Sequence, residues 1–588
     1  MRTYRGISVS NGAAIGEVLI LDNRGCRLSR RFVDQHEVDS EISRLNSAIE
    51  ATGDQIAQDR DSVTREIGEE YGHIFGAHLR ILTDKKLLHD LEEPIRQHNY
   101  SAEYAVSEVF DRQADILRRV AGTLYSERAN DVVDIKVRLL RQLMGVRQNS
   151  LAHLDRPVIL LAATLTPSET SNLDRDNVLG FATEEGARGS HTAIVASALQ
   201  IPAVLGIGHF LADAQEGDQV ILDGDKGLLI LNPDAETTRK YQEIIDRQKS
   251  ESRRLSSRSA APAITQDGTE IKVFGNIEFH YESRICDING AAGIGLYRTE
   301  FLYLGADLAS LPTEEDHFEA YRTVVEAMGP DRVTTIRTFD LGADKLPPGF
   351  SASDVVEPNP FMGVRSIRLS LKFQDMFRKQ LRAILRASAF GPIRIMFPLV
   401  STILEFRNAK SIFLDVCEEL DEAGIPFDHS IPIGMMLEVP ASIIMIHTFV
   451  REVDFFSIGT NDLTQYALAV DRGNKGVDSL YNSEDPAILQ LVHRAIQVAT
   501  MYDKPISVCG QITSDPNNTM LLIGLGLRHF SVAPGVIPII KELCRNVTVE
   551  ECERIAKNVL SKDTASDIRH YLRHETAKKL GTGWTAEE

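Results

Sequence analysis

The sequence is poor in the features that mark export, membrane insertion and nucleic-acid binding. Its 588 residues hold six cysteines: Cys26, Cys286, Cys417, Cys509, Cys544 and Cys552. No two form a CxxC pair, so neither a zinc ribbon nor a dithiol redox motif is supported. Sparse cysteine in so long a chain fits a reducing cytoplasm. The opening MRTYRGISVSNG has no apolar run long enough for a signal peptide. No stretch approaches the roughly 20 apolar residues needed to span a bilayer. Positive charge is also in deficit: 64 Lys and Arg stand against 84 Asp and Glu, a formal net charge of −20. That argues against a nucleic acid or an anionic membrane surface as the main partner. The expectation is a cytoplasmic protein in which local arginine clusters hold any small anionic substrate, and whose protein partner is basic where it docks.

The length implies three or four domains at roughly 100–200 residues each. The first segment, GISVSNGAAIGEVLIL, is apolar, Gly-punctuated and β-like. From about residue 28 to 147 the pattern is helical: Ile42, Leu45, Ile49, Ile56, Val63, Ile67 and Ile74 repeat with heptad character. β/α character returns at PVILLAATL and continues through DQVILDGDKGLLIL. Residues 1–25 and 148–235 are therefore expected to form one α/β domain, with an all-α bundle at 26–147 inserted into it. Residues 236–262 are charged and apolar-poor and predict a helical linker ending in a small-residue hinge. Across 263–575, eight candidate strands alternate with helical stretches: IKVFGNI, GIGLYR, VTTIRTFD, IRIMFPLV, PIGMMLEV, VDFFSIGT, PISVCG and HFSVA. Eight such units predict a TIM (β/α)8 barrel, with a doubly wound open sheet as the competing arrangement. Residues 576–588 look like a polar tail.

The barrel expectation brings a coincidence with it, because TIM-barrel sites lie at the C-terminal ends of the strands. Those ends carry Arg298, Arg337 and Asp340, Glu438, Asn461 and Asp462, and Cys509. Arg298 and Arg337 offer planar forks for phosphate or carboxylate oxygens. Glu438 and Asp462 are hard oxygen ligands of the kind that hold Mg²⁺ together with substrate oxygens. Taken singly, the arginines could equally be surface ion pairs and the acids caps. Arg472, in AVDRGN, follows the same helix start as Asn461. Cys509 is either a small buried residue or a proton donor. In GARGSHTAIVASALQIP a Gly-containing loop leads to His191 at a helix start, where free N–H groups suit a phosphoryl group. His191 is there either a nucleophile toward phosphorus or a helix cap.

Together, GISVSNGAAIG, LTPSET, GARGSHTAI, IPAVLG, GIGLYRTEFLY, PTEEDHFEAYR, IRTFDLGADK, NPFMGVRSIR, MMLEVPA, FFSIGTNDLTQYALAVDRGN and VCG resemble the Enzyme I family of the bacterial sugar phosphotransferase system, within the PEP-utilising enzymes. The resemblance covers nearly the whole chain, in the family's order. It implies an α/β fold class: a phosphohistidine α/β domain with an inserted helical bundle that docks the histidine phosphocarrier protein HPr, then a TIM barrel that binds phosphoenolpyruvate (PEP). It implies that His191 is phosphorylated, that Arg298 and Arg337 hold the phosphoryl group, and that Asn461 and Arg472 make further substrate contacts. It implies that Glu438 and Asp462 bind Mg²⁺, that Cys509 protonates the enolate, and that Thr170 orients the histidine. Lys345 and Arg365 match basic residues near the pocket. A homodimer through the barrel is implied as well.

The sequence departs from the family pattern in places. Ala187 follows Gly186 where a second Gly is usual, Gly189 stands where Thr is usual, Ala343 where Gly is common, and Gln511 follows Cys509-Gly510 where Glu is usual. The segment ITSD after it also differs from the usual small-residue run. Loss of a carboxylate beside the proposed acid bears on rate rather than reaction type. Two related activities, pyruvate phosphate dikinase and phosphoenolpyruvate synthase, need an ATP-grasp domain that this pattern does not contain. Nitrogen-regulatory Enzyme I proteins typically carry an extra N-terminal GAF domain, also not seen here. A regulatory protein with a decayed site is the remaining alternative, motivated by Gln511 alone.

Overall fold

The computed structural model describes the chain apart from residues 11, 22–31, 67–68, 120–122, 145–153, 155, 166–172, 174–176, 187–200, 304–310, 343–358, 472–473, 475 and 581–588. It divides into two units, Met1–Ser252 and Arg253–Glu588.

In the first unit, β1 (Arg2–Arg5), β2 (Ile7–Ser10), β3 (Ala13–Leu21), β4 (Val158–Ala162), β5 (Val178–Thr183), β6 (Ala203–Leu205), β7 (Gln219–Asp223) and β8 (Leu228–Leu231) form one eight-stranded sheet. Its order is β1-β8-β7-β3-β4-β5-β6-β2. The opening segment GISVSNGAAIGEVLIL, which reads as one β-like stretch, folds as two strands, β2 and β3, that lie apart in this sheet. Strands β3 to β6 run parallel, β7 adds antiparallel to β3, and β8 adds antiparallel to β7. The run VILLA of β4 is buried throughout, as a strand covered on both faces requires. Ile20 pairs with Leu161, so the sheet closes across the helices that intervene in sequence. Those are α1 (Val38–Glu66), α2 (Glu69–Leu82), α3 (Lys85–His98), α4 (Ala102–Arg119) and α5 (Thr123–Met144). Ile42, Leu45 and Ile56 of the heptad stripe are buried, and Asp84 caps α3 by accepting from the Lys86 and Leu87 N–H groups. After β8 comes α6 (Ala235–Ser257), anchored to the sheet by Tyr241 OH donating to Asp223 Oδ2 at 2.9 Å. The division between the two units falls within this helix.

The second unit begins with the short β9 (Ala263–Ile264). Eight strands follow: β10 (Glu270–Ile277), β11 (Ile294–Arg298), β12 (Thr334–Arg337), β13 (Ile393–Phe397), β14 (Ile433–Leu437), β15 (Phe455–Gly459), β16 (Ile506–Cys509) and β17 (His529–Val532). Each pairs in parallel with the next, and β17 pairs in parallel with β10. That last ladder closes the sheet into a barrel and removes the open doubly wound alternative. Alternation along the strands sends one set of side chains inward, where Leu296, Met396, Met436, Phe455 and Cys509 form an inner core. The other set packs against the surrounding helices in the large outer core. One expectation is corrected at the C-terminus. The chain is helical over Ala565–Leu580, with Thr576 buried, so residues 576–580 belong to a packed helix and not to a polar tail. Pattern reading missed this because the stretch is rich in charge. Among the described residues no helix is long and apolar enough to cross a membrane.

Candidate active site

The C-terminal mouth of the barrel collects the strand-end residues. Arg298 and Arg337 are the last residues of β11 and β12, and Register places them side by side. Glu438 directly follows β14, Asn461 and Asp462 lie in the first turn of the helix Thr460–Leu468 that follows β15, and Cys509 ends β16. Arg365 precedes the helix Ser366–Lys372. Its guanidinium reaches Asp340 Oδ1 at 2.9 Å, Asp462 Oδ2 at 3.3 Å and Tyr466 OH at 3.2 Å. Arg337 pairs with Glu300 at 3.0 Å and Asp340 at 3.3 Å, and Arg298 pairs with Glu278. The Nε atoms of Arg337 and Arg365 are buried without a hydrogen-bond partner. Two buried cations thus retain unused donor capacity.

The charge balance bears on a metal. Three arginines (298, 337, 365) face five carboxylates (278, 300, 340, 438, 462) in this network. Burial, then Asp462 and Asp340, push the Glu438 carboxyl well above its ordinary range, with Arg337 opposing, as burial beside other carboxylates requires. Burial opposes ionisation of Asp340 too, but Arg337 and Arg365 outweigh it and hold that carboxyl down. Glu438 Oε1 accepts from Leu399 N at 2.5 Å. Its Oε2 lies where a Cβ on residue 459 would stand 2.7 Å away, so Gly459 leaves the carboxylate its space. Among the described residues no group of three or more His, Cys, Asp or Glu is arranged to enclose a metal. Two carboxylates, Glu438 and Asp462, suit a hard cation that takes its remaining oxygens from substrate and water.

Cys509 is 2% exposed. Its thiol donates to the Ile458 carbonyl at 3.3 Å and accepts from Ser457 Oγ at 3.5 Å. Burial pushes the thiol up, with the Ser457 hydrogen bond opposing, so sulfur keeps its proton. Gly510 follows at φ +107, where a Cβ would collide with Thr460 Oγ1. This close approach lets the Gln511 N–H reach Asn461 Oδ1 at 3.0 Å. His191, Thr170, Lys345 and Arg472 lie outside the described residues, as do Ala187, Gly189 and Ala343.

Family models match three stretches of the chain in order: the N-terminal domain of PEP-utilising enzymes over residues 5–128, their mobile domain over 154–227, and their PEP-binding domain over 252–549. The chain belongs to the PEP-utilising enzyme family. It is 39% identical to the phosphoenolpyruvate-protein phosphotransferase of Geobacillus stearothermophilus over 573 residues, 97% of this chain and 98% of that one. It is 38% identical to the protein of that name from Haemophilus influenzae, over 96% of this chain and 97% of the other. A solution structure of an Enzyme I protein overlays 42% of this chain and 99% of its own, at 33% identity and a TM-score of 0.37. In this PEP-utilising enzyme the PEP-binding stretch contains every described residue of the mouth, and the mobile stretch contains His191 and Thr170.

Several groups around this PEP-utilising site escaped the sequence reading. Glu300 pairs with Arg337 and accepts from Asp340 N at 2.7 Å. Gln380 is fully buried. It accepts from Phe339 N at 3.0 Å and donates to Thr299 Oγ1 and Tyr321 OH at 3.0 Å each. Thr299 in turn donates to the Arg337 carbonyl at 3.0 Å. The available signal was a glutamine on the apolar stripe of the helix Gln374–Ala387, between Phe377 and Leu381. A lone acid two residues after Arg298 gave no comparable sign for Glu300.

Proposed function

We propose that the chain is a phosphoenolpyruvate-protein phosphotransferase of the Enzyme I type. It moves the phosphoryl group of PEP to His191, releases pyruvate, and passes the group to the histidine phosphocarrier protein HPr as the first step of the sugar phosphotransferase system. The observation that carries this reading is the match over 573 residues, 97% of this chain, to a protein of that activity. The chemistry gathered at the barrel mouth supports it.

Arg298 and Arg337 hold the phosphoryl oxygens, with Arg365, Lys345, Arg472 and Asn461 as further substrate contacts. Phosphoryl transfer needs positioning and charge stabilisation more than covalent help from the protein. Mg²⁺ held by Glu438 and Asp462 would supply charge neutralisation on the substrate oxygens. A neutral ring nitrogen of His191, oriented by Thr170, attacks phosphorus. The P–N bond forms, the P–O bond to the enol oxygen breaks, and the electron pair leaves with enolpyruvate. Cys509 gives its proton to the third carbon of the enolate, yielding pyruvate, and the thiolate recovers a proton from solvent. The phosphoryl group then passes from His191 to a histidine of HPr, docked on the helical insertion. Because His191 and the PEP mouth belong to different units, turnover requires them to approach, and the helical connection at 236–262 is the proposed hinge. The working form is a cytoplasmic homodimer through the barrel.

The test is pyruvate release with and without the acceptor. Without HPr, release should stop at about one pyruvate per chain; with HPr it should continue to exhaustion of PEP. Continuous release without any acceptor would refute the phosphotransferase reading in favour of a hydrolase.

A further inference from the structure

The ion pairs at the C-terminal mouth of the barrel are not alike, and the difference points to Glu278. Residues two apart on a strand face the same way. Asn276 of β10 pairs with Leu296 of β11, and Leu296 belongs to the inner core. Glu278 and Arg298 stand two residues beyond each, so both side chains point into the mouth. There Arg298 Nη1 donates to Glu278 Oε1.

The other two arginines of the mouth meet buried acids. Side-chain exposure is 10% and 12% in the Arg337–Glu300 pair, and 8% and 7% in the Arg365–Asp340 pair. In the Arg298–Glu278 pair it is 31% on both sides. Breaking a buried pair strands a charge away from water, whereas a pair open to water separates at little cost. Of the three arginines, Arg298 is therefore the one whose partner exchanges most readily. The backbone that carries Glu278 is held in place. Glu282 Oε2, in the first turn of the helix Glu282–Ile288, accepts from the Glu278 N–H at 2.6 Å and the Phe279 N–H at 2.9 Å. Only the Glu278 side chain has to swing for the pair to open.

The Glu278 carboxylate takes a donor that a phosphoryl oxygen needs. Bidentate recognition of a phosphoryl group uses two N–H groups of one guanidinium. With Nη1 engaged, an incoming phosphoryl group either displaces the carboxylate, losing the ion pair, or binds beside it, setting like charges together. Both weaken binding of the phosphoryl group. Neither acts on a ligand without one. We propose that Glu278 is an internal competitor for Arg298 and sets the affinity of the mouth for phosphorylated ligands. This rests on the assignment of Arg298 to the phosphoryl group of PEP. A Glu278 that instead held Arg298 ready for substrate would have the opposite effect on affinity.

The test compares full-length chains with and without Glu278→Gln, both carrying His191→Ala so that bound PEP is not consumed. In equilibrium titrations with Mg²⁺, Glu278→Gln should tighten PEP binding about 3- to 10-fold, the scale of one exposed ion pair together with removal of a like charge. Pyruvate, which carries no phosphoryl group, should bind both chains with the same Kd. Unchanged or weaker PEP binding in Glu278→Gln, pyruvate tightened by the same factor, or no PEP binding to either chain would overturn the proposal. Pyruvate release by the chain with His191 intact reports separately on the phosphotransferase reading. Release without tightening in Glu278→Gln removes the competitor alone, and tightening without release removes the phosphotransferase reading and leaves the competitor standing.

Discussion

Replacing Gln380 with methionine leaves the helix and its packing volume nearly intact while removing three hydrogen bonds behind Arg337, the proposed phosphoryl-binding arginine. The Phe339 N–H, now 3.0 Å from Gln380 Oε1, would become a buried donor without a partner, at a cost of about 1–3 kcal/mol. Thr299 and Tyr321 each lose a donor now 3.0 Å away, at about 0.5–1.5 kcal/mol apiece. Denaturant unfolding of the barrel unit should therefore show a loss of roughly 2–6 kcal/mol. The kinetic consequence is separate. Thr299 donates to the Arg337 carbonyl and Phe339 lies two residues beyond Arg337, so loosening them displaces its guanidinium, and a misplacement of about 1 Å costs up to about 100-fold in rate. Pyruvate release at saturating HPr should show kcat/KM reduced about 10- to 100-fold. Gln380→Glu, which keeps the acceptor for Phe339, should recover part of the stability. Loss of stability with kcat/KM unchanged would refute the claim that this network positions Arg337. A loss below about 0.5 kcal/mol would refute the hydrogen-bond accounting itself.

Three further outcomes follow from the same geometry. Cys509→Ala should slow pyruvate formation about 10²- to 10⁴-fold while PEP affinity, read by equilibrium binding, changes little; an equal loss of binding would make the cysteine structural. Arg337→Lys keeps the charge but loses the planar fork shared with Glu300 and Asp340, so kcat/KM should fall at least about 100-fold, and near-wild-type kinetics would contradict the assignment. Asp462→Asn should raise the Mg²⁺ concentration for half-maximal turnover about 10-fold or more, and an unchanged Mg²⁺ titration would remove Asp462 from the ligand set.

The barrel was legible because its strands are short apolar runs, several of them ending at a polar residue that local packing does not need. IGMML before Glu438 and FFSIG before Thr460, Asn461 and Asp462 are such runs, and both are buried throughout. The strand-end rule then gathered Arg337, Glu438, Asp462 and Cys509 into one mouth before any contact was known. What pattern could not carry was partnership across the fold. Arg298 finds Glu278 just past the end of the preceding strand, Arg337 finds Glu300, and Gln380 reaches Thr299 from 81 residues away. Such pairings depend on which strand ends become neighbours when the barrel closes. His317 is a further case. Burial holds it down at about 4, so it stays neutral, with Nδ1 hydrogen-bonded to Tyr321 OH at 2.9 Å and Nε2 to Tyr303 OH at 3.0 Å. A lone histidine in EDHFEAYR gave no sign of that buried relay.

The central claim is that His191 carries the phosphoryl group of PEP. It is tested most directly by incubating the full chain and a His191→Ala variant with Mg²⁺ and PEP labelled in the phosphoryl group. The account predicts acid-labile, base-stable label on the wild-type chain, matched by pyruvate, and none on the variant. Equal label on both proteins, or pyruvate formed by the wild type with no label retained, would contradict it.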